Sequence, residues 1–356
     1  MKVIVPTPIA DATLIDSSAG ALIETSVADN SYPAWVSGAT YEENQRYEYS
    51  GTIYESRHKI RNRTATPDTD PRQWDVVGGA ATTDAWVAGD VHAIGERVCY
   101  NLTHRVYQAV QETGVGNITP PDRDPEYWLD AGPMNVWAMF DPTTGTSTSG
   151  ESPLAVTIQP GIVRGLALLG LVGATQVQID IHDGESLVYS RTEAVGDTQV
   201  LLDWYDYYFA EIIPRESFVL SDLPPYGTAA ITVTVTGAST VGIGNLIVGP
   251  VADFGLTDFG MKLGILDYSL KNKDDFGITG LVERGYASTQ DATIFVARDK
   301  QDYLFKKLAS LRSTLAVYFD DSGYESQIVY GFTRDWDVGV QYPTYIQITI
   351  SLEGMT

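Results

Sequence analysis

Residues 67–74 read Pro-Asp-Thr-Asp-Pro-Arg-Gln-Trp, and residues 121–128 read Pro-Asp-Arg-Asp-Pro-Glu-Tyr-Trp. Each string ends a similar stretch, in which a tryptophan after alanine is followed 11 residues later by arginine and 14 residues later by tyrosine. A repeat of this kind is typical of duplicated structural units. We therefore predict two tandem modules, over residues 33–78 and 84–132.

Both modules have the sequence pattern of small β-structures. In the first copy, Arg46–Tyr54 alternates around Ser50-Gly51, which predicts a strand, a tight turn and a second strand. In the second copy the corresponding tip is two residues longer. A unit of this size without disulfide or metal has little core of its own, so its aromatic rings must supply much of that core.

The aromatic residues of the modules admit two interpretations. Exposed Trp and Tyr rings stack on the faces of sugars, whereas the same rings in so small a module could form its core. We favour the core for the four module tryptophans, and expect Tyr41, Tyr47, Tyr127 and Trp137 to be less constrained and open to exposure. The candidate carbohydrate-binding residues are Trp35, Tyr41, Tyr47, Tyr54, Trp74, Trp86, Tyr100, Tyr107, Tyr127 and Trp128.

The residue pattern changes after a polar Ser/Thr/Gly stretch, which we interpret as a linker. Val177–His182 and Ile231–Thr236 alternate β-branched and polar residues, and Asp183-Gly184 is a hairpin turn signal. Such strands predict an antiparallel β-sandwich. The predicted organisation is an N-terminal arm (1–32), the two modules, a linker (141–153), a β-sandwich (154–255) and a C-terminal α+β assembly domain (256–356).

The C-terminal domain is predicted to contain one amphipathic helix. Leu304, Leu308 and Leu311 recur at helical spacing, and Asp299 is a candidate N-cap. Strands are expected on both sides of this helix, ending with the alternating segment 345–352. The fold class predicted for the whole chain is therefore mainly β.

Composition excludes several classes of function. The chain of 356 residues has 23 Lys and Arg against 46 Asp and Glu, a net charge of −23, which disfavours sequence-independent nucleic-acid binding and docking on anionic lipid. Its single cysteine, Cys99, rules out an internal disulfide framework and thiolate-rich zinc sites. The sequence has no signal-peptide pattern and no apolar run long enough to span a bilayer, so we expect a soluble product made in a reducing cytoplasm.

Catalytic motifs are poorly represented, and we predict a non-enzymatic protein without metal or cofactor. The kinase-like tripeptide Asp-Phe-Gly begins at residues 253, 258 and 275, but no other kinase motif accompanies it, and we interpret these tripeptides as strand ends. Asp68 and Asp70, like Asp122 and Asp124, could cap turns or bind calcium. The flanking prolines favour turns.

The repeats resemble the family 5/12 carbohydrate-binding (chitin-binding-like) module. The matching residues are Ala34-Trp35, Gly51-Thr-Ile-Tyr54, Pro71 and Trp74 in the first copy, and Ala85-Trp86, Tyr100, Tyr107, Pro125 and Trp128 in the second. The second copy departs from the pattern, with His104 in place of the glycine three residues before its tyrosine. The resemblance implies a small β-fold and surface aromatic rings that contact glycan.

The remainder resembles virion proteins of tailed bacteriophages. The segments on which this resemblance rests are Ile243–Gly249, Phe254-Gly255, Phe259-Gly260, Asp267-Tyr-Ser269, Asp275-Phe-Gly277, Val282-Glu-Arg284 and Tyr345–Gly354. The alternation around Val177 and Ile231 also resembles galactose-binding-like jelly rolls.

These resemblances imply a structural protein of the tail tip, baseplate or fibre-attachment region, made in the host cytoplasm and located in the virion. Its expected partners are further copies of itself (a ring, or a trimer or hexamer), other phage tail proteins and host-surface glycan. Nucleic acid and membrane insertion are not expected. The alternatives are a polysaccharide-binding accessory subunit or glycan-degrading enzyme, and a capsid or neck decoration protein.

Overall fold

The computed structural model describes most of the chain. The described residues are 1–11, 20–25, 35–41, 46–49, 52–61, 64–79, 86–114, 118–195, 208, 214–273, 279–340 and 342–355. The predicted Ser50-Gly51 turn and the third Asp-Phe-Gly tripeptide, at residue 275, lie outside them.

The described residues form a mainly β protein, which confirms the predicted fold class. In chain order the strands are β1 Lys2–Ile4, β2 Ile9–Asp11, β3 Gly20–Thr25, β4 Arg46–Tyr49, β5 Thr52–Ser56, β6 Trp74–Gly79, β7 Arg97–Tyr100, β8 Arg105–Ala109, β9 Trp128–Pro133, β10 Thr148–Glu151, β11 Leu154–Gln159, β12 Gly165–Asp183, β13 Ser186–Ala194, β14 Phe218–Leu220, β15 Ala230–Gly249, β16 Val251–Asp253, β17 Leu256–Thr257, β18 Lys262–Asp267, β19 Leu270–Lys273, β20 Thr279–Val282, β21 Tyr286–Ala297, β22 Ala316–Phe319, β23 Val329–Gly339 and β24 Tyr345–Gly354.

Helical structure is limited to short segments. The α-helices are α1 Asn135–Ala138 and α2 Gln301–Ser310, and short 3₁₀ turns lie at Pro67–Thr69, Pro121–Arg123, Arg298–Lys300 and Glu325–Gln327. No described helix has the length and apolar character needed to cross a bilayer.

A central sheet forms the predicted β-sandwich. Its strands run in the order β13-β12-β15-β11-β3-β2, with β10 added on β15 and β14 on β12, and only the β2–β3 pair is parallel. The predicted hairpin around Asp183-Gly184 is confirmed, since β12 ends at Asp183 and pairs with β13. One buried cluster contains side chains from both halves of the long strand β12: Leu166, Leu168, Val177, Ile179 and Ile181.

The two halves can share a core because β12 and β15 bend together. Their register shifts on both sides of Ala174, and Gly173 has a φ of +66°. A Cβ placed on Gly237 would lie 2.1 Å from the carbonyl oxygen of Gly173. The two backbones approach this closely only because Gly237 has no side chain.

The C-terminal domain is built on a second large sheet. Its order is β16-β1-β22-β23-β24-β21-β17, with β18 added on β21, and all of its pairs are antiparallel. Helix α2 packs on one face through Leu304, Leu308 and Leu311, which are all buried, as their spacing predicted. Asp299 is not the N-cap as predicted, because it lies within the preceding 3₁₀ turn and Lys300 takes the cap position without a side-chain bond.

The sequence pattern did not reveal where the chain start belongs. The predicted N-terminal arm contributes β1 to the interior of the C-terminal sheet, and β2 and β3 to the central sheet. The predicted linker contains β10, whose Thr148 and Ser149 are buried. Strand β16, within the predicted sandwich range, pairs with β1.

The two large sheets are joined by a buried apolar contact. Ile4 of β1 and Val317 and Phe319 of β22 pack with Leu169 of β12 and Ile247 of β15. The alternate residues of β1 and β22 face helix α2 instead. All four residues of β22 are buried for this reason, and the C-terminal sheet is covered by helix α2 on one face and by the sandwich on the other.

The bend between β12 and β15 yields a stability prediction. We expect Gly237→Ala to lower the free energy of unfolding by about 2–3 kcal/mol, because the new methyl group forces the two backbones apart. Gly145→Ala is the matched control, since open space surrounds Gly145, and a change within about 0.5 kcal/mol is expected. Urea denaturation measures both, and equal effects of the two substitutions would contradict this account.

Candidate binding site in the tandem modules

The two repeats fold into the same three-stranded antiparallel sheet. The order is β4-β5-β6 in the first module and β7-β8-β9 in the second. The second pair of strands in each sheet has a register shift just before the same tyrosine, Tyr54 in one copy and Tyr107 in the other. The sequence repeat is therefore a structural repeat down to the position of a β-bulge.

The repeated Pro-Asp-x-Asp-Pro string forms a 3₁₀ turn in both copies. The carbonyl oxygen of Asp70 accepts the backbone N–H of Trp74 at 3.2 Å, and that of Asp124 accepts the N–H of Trp128 at 3.0 Å. Both strings form turns, as predicted, although neither turn has a side-chain hydrogen bond at its N-cap. The second tryptophan of each module follows directly and begins a strand. No group of three or more His, Cys, Asp or Glu side chains suited to a metal ion occurs among the residues that the structure describes.

Half of the candidate residues form the module cores. Tyr41, Tyr54 and Trp74 are buried in the first module, and Tyr107 and Trp128 in the second. The expectation that Tyr41 is open to exposure is wrong, because its hydroxyl donates to the carbonyl of Val36 and accepts the N–H of Val36, which holds the ring inside. Burial also raises the pKa of the Tyr41 and Tyr107 hydroxyls.

His92 is a core residue that the sequence comparison missed. It lies 51 residues after Tyr41, the same spacing that separates Trp35 from Trp86. Its ring meets Trp128 edge-on at 5.2 Å between ring centroids, as Tyr41 meets Trp74 at 5.1 Å. The shared spacing could have identified it, but the change from tyrosine to histidine hid the correspondence.

Each module also has a tryptophan that is only partly buried. Trp35 meets Tyr49 edge-to-face at 5.3 Å, and Trp86 meets Tyr100 at 5.6 Å. All four rings pack against the module cores and retain exposed surface. We call these two aromatic pairs the Trp–Tyr platforms.

A glycine turn follows the tryptophan of each platform. Gly38 and Gly89 have φ values of +80° and +94°, a conformation that glycine adopts without strain. The valine after each tryptophan, Val36 or Val87, is exposed. The surface around each tryptophan is therefore formed by the same residue types in both modules.

The remaining candidates lie beside the cores. Tyr47 packs between Tyr41 and Trp74, at centroid distances of 4.5 and 6.2 Å. Tyr127 packs on the second core and is half-buried. Trp137 lies outside both sheets, stacked on His104 at 3.7 Å.

The second module is anchored to the sandwich by that stack and by a small apolar cluster. Cys99, Val106 and Met134 are buried together. His104, three residues before Tyr107, has a φ of +54°. This conformation is uncommon for a residue other than glycine, and the ring of His104 packs on Trp137.

Arg105 completes the anchor with two ion pairs. It contacts Asp130 of β9 at 2.7 Å and Asp141, beyond the module, at 3.4 Å. In helix α1, which also carries Trp137, the amide side chain of Asn135 both donates to and accepts from the backbone of Ser149 in β10. These contacts fix the second module, and with it the second platform, to the central sheet.

Hydrogen bonds of Glu96 close the loop that carries His92. Glu96 contacts the Nδ1 atom of His92 at 3.0 Å, and its other oxygen accepts the N–H of Ala93 at 2.8 Å. The hydrogen bond from His92 lowers the pKa of the Glu96 carboxyl. The ionised form of Glu96 is therefore the form that stabilises this loop.

No protein-family model matches the chain, and no curated protein matches it significantly.

The division between core rings and platform rings gives a direct test. We expect Trp128→Ala to cost about 3–5 kcal/mol and to unfold the second module, because the ring is 3% exposed at the centre of the core. Trp86→Ala should cost clearly less, since that ring is only partly buried. Hydrogen exchange across β7 and β8 reports both, and equal loss of protection would contradict the division.

The lowered pKa of Glu96 predicts a pH dependence. A carboxyl whose pKa is depressed in the folded state stabilises it above the unfolded pKa, and this contribution disappears as the pH falls through the folded pKa. Because Glu96 is exposed, Glu96→Gln should cost only about 0.5 kcal/mol at pH 7. The difference from wild type should shrink as the pH falls, which thermal unfolding at pH 7 and pH 3 would measure. A constant difference would count against the hydrogen bond between His92 and Glu96.

Proposed function

We propose that this chain is a structural virion protein of a tailed bacteriophage, located in the tail tip, baseplate or fibre-attachment region. In this proposal it assembles with further copies and other tail proteins, and presents its two modules to host-surface glycan. The combination of duplicated modules with a scaffold of two joined sheets supports it.

The observation that carries the glycan-binding part is the repetition of the Trp–Tyr platforms. Both modules bury one tryptophan and leave the other partly exposed, in edge-to-face contact with a tyrosine. A ring fixed in this way offers an apolar face to a sugar at little entropic cost. Two platforms on one chain, multiplied by assembly, would turn weak sites into strong attachment through effective concentration.

The rest of the molecule supports a scaffold role. A cleft between the large sheets contains several carboxylates, among them Glu193, Asp222 and Asp321. The first two form ion pairs with Arg191 within the central sheet, and the third with Lys2 within the C-terminal sheet. Carboxylates paired in this way are poorly suited to acid–base chemistry.

Sedimentation of the protein with insoluble glycans tests the proposal. We expect binding to chitin, peptidoglycan or capsular polysaccharide, weakened by Trp35→Ala or Trp86→Ala alone and reduced at least tenfold by both together. Tyr324→Ala is the control, because Tyr324 is an exposed aromatic ring on the C-terminal domain, outside both modules. Unchanged binding by the double variant would contradict the platform assignment.

The virion location is tested separately. Immunogold labelling of particles of a phage encoding this chain should mark the tail. Label on the head would favour the capsid or neck alternative, and absence from purified particles would favour a polysaccharide-binding subunit.

A further inference from the structure

Strand β18 is an edge strand among the residues that the structure describes. Within them its one strand partner is β21. Four consecutive residues, Lys262 to Ile265, are exposed, so neither face of this part of the strand is packed. No described strand pairs with the other side of Lys262 to Leu266, where backbone groups lie beside exposed apolar side chains.

The exposure extends well beyond β18. Nine described large apolar residues from β17 to β21 are at least 40% exposed. They are Leu256, Phe259, Leu263, Ile265, Tyr268, Leu270, Leu281, Val282 and Tyr286, and we call this set the β18 patch. Phe259 is fully exposed, and Leu256 is 79% exposed.

The residues of the β18 patch together expose about 1,000 Å² of surface. A standard protein interface buries about 800 Å² on each partner. The summed exposure is therefore of the size that a protein interface buries.

The middle of the edge lacks the usual protection against pairing. Natural edge strands carry lysines, prolines, bulges or inward-pointing charges that block another strand, and β18 has charged residues only at its two ends, Lys262 and Asp267. Between Lys262 and Asp267 the sequence is Leu-Gly-Ile-Leu, and the pairing of β18 with β21 has no register shift. Such an edge is open to a second strand.

The sequence of β18 is compatible with its own copy. In an antiparallel pair related by a two-fold axis at Gly264, Leu263 lies opposite Ile265 of the second copy and Gly264 lies opposite itself. Lys262 then lies opposite Leu266, so no two like charges face each other. The two Leu263–Ile265 pairs therefore lie on the same face of the joined sheet, where the two β18 patches meet.

We propose that this chain forms a two-fold dimer in which β18 pairs antiparallel with β18 of a second copy around Gly264. The two C-terminal sheets then become one continuous sheet, and the β18 patches cover each other. This inference goes beyond the proposed function and does not depend on a virion location.

Light scattering after size exclusion tests the dimer. The wild-type protein at tens of micromolar should have twice the mass of the 38.8 kDa chain, and the Leu263→Lys, Ile265→Lys double variant should have the monomer mass. Both side chains are exposed in the single chain, so the double variant should still unfold in a cooperative transition, at a temperature lowered only by loss of the dimer. Ile162→Lys is the control, because Ile162 is 70% exposed on the sandwich, and it should remain a dimer.

A monomeric wild type would overturn the proposal, as would a dimer that survives the two lysines. A ring or another oligomer larger than a dimer would overturn the two-fold pairing.

Cross-linking tests the register. Cys99 is buried, so a cysteine at position 264 is the accessible thiol. Gly264→Cys should form a disulfide-linked dimer under mild oxidation, because the two positions face each other, while Ile162→Cys should not. The hydroxyl of Thr289, 2.9 Å from the new Cβ, can rotate aside. A dimer by mass without this cross-link would overturn the proposed register.

Discussion

The close approach of β12 and β15 at Gly173 and Gly237 is the constraint on which the architecture depends. These strands pair from Gly165 with Gly249 to His182 with Ala230, and the bend lets their two halves bury one core. The half that contains Leu169 of β12 and Ile247 of β15 also packs on the C-terminal sheet. A straight pair of strands could not serve both contacts.

A different constraint governs the modules. Three short strands enclose too little apolar volume for a core of aliphatic side chains, so aromatic rings fill it, with Trp74 and Trp128 at the centres. The rings that remain partly exposed, Trp35 and Trp86, are held by contact with that core. The same aromatic residues thus provide stability and the candidate binding surface.

Much of this could be predicted from the sequence, because the patterns are local. The repeat spacing predicted two similar modules, the alternation around Val177 and Ile231 predicted the sandwich strands, and the leucine spacing predicted helix α2. The change from tyrosine to histidine hid the correspondence between Tyr41 and His92 despite their shared spacing, because packing of a flat ring against tryptophan tolerates either residue. Exposure of individual rings could not be predicted either, since it depends on neighbours that are distant in the chain.

The sequence by itself determined the mainly β class, the duplicated modules, the net negative charge and the position of the amphipathic helix, since each follows from composition or from residues a few positions apart. Only the tertiary structure decided that β1 lies between β16 and β22, where Lys2 pairs with both Asp253 and Phe319. It also decided which tryptophans are core and which edge is open. Pairing between strands more than 200 residues apart leaves no periodic trace in either one, because backbone hydrogen bonds are independent of side-chain identity.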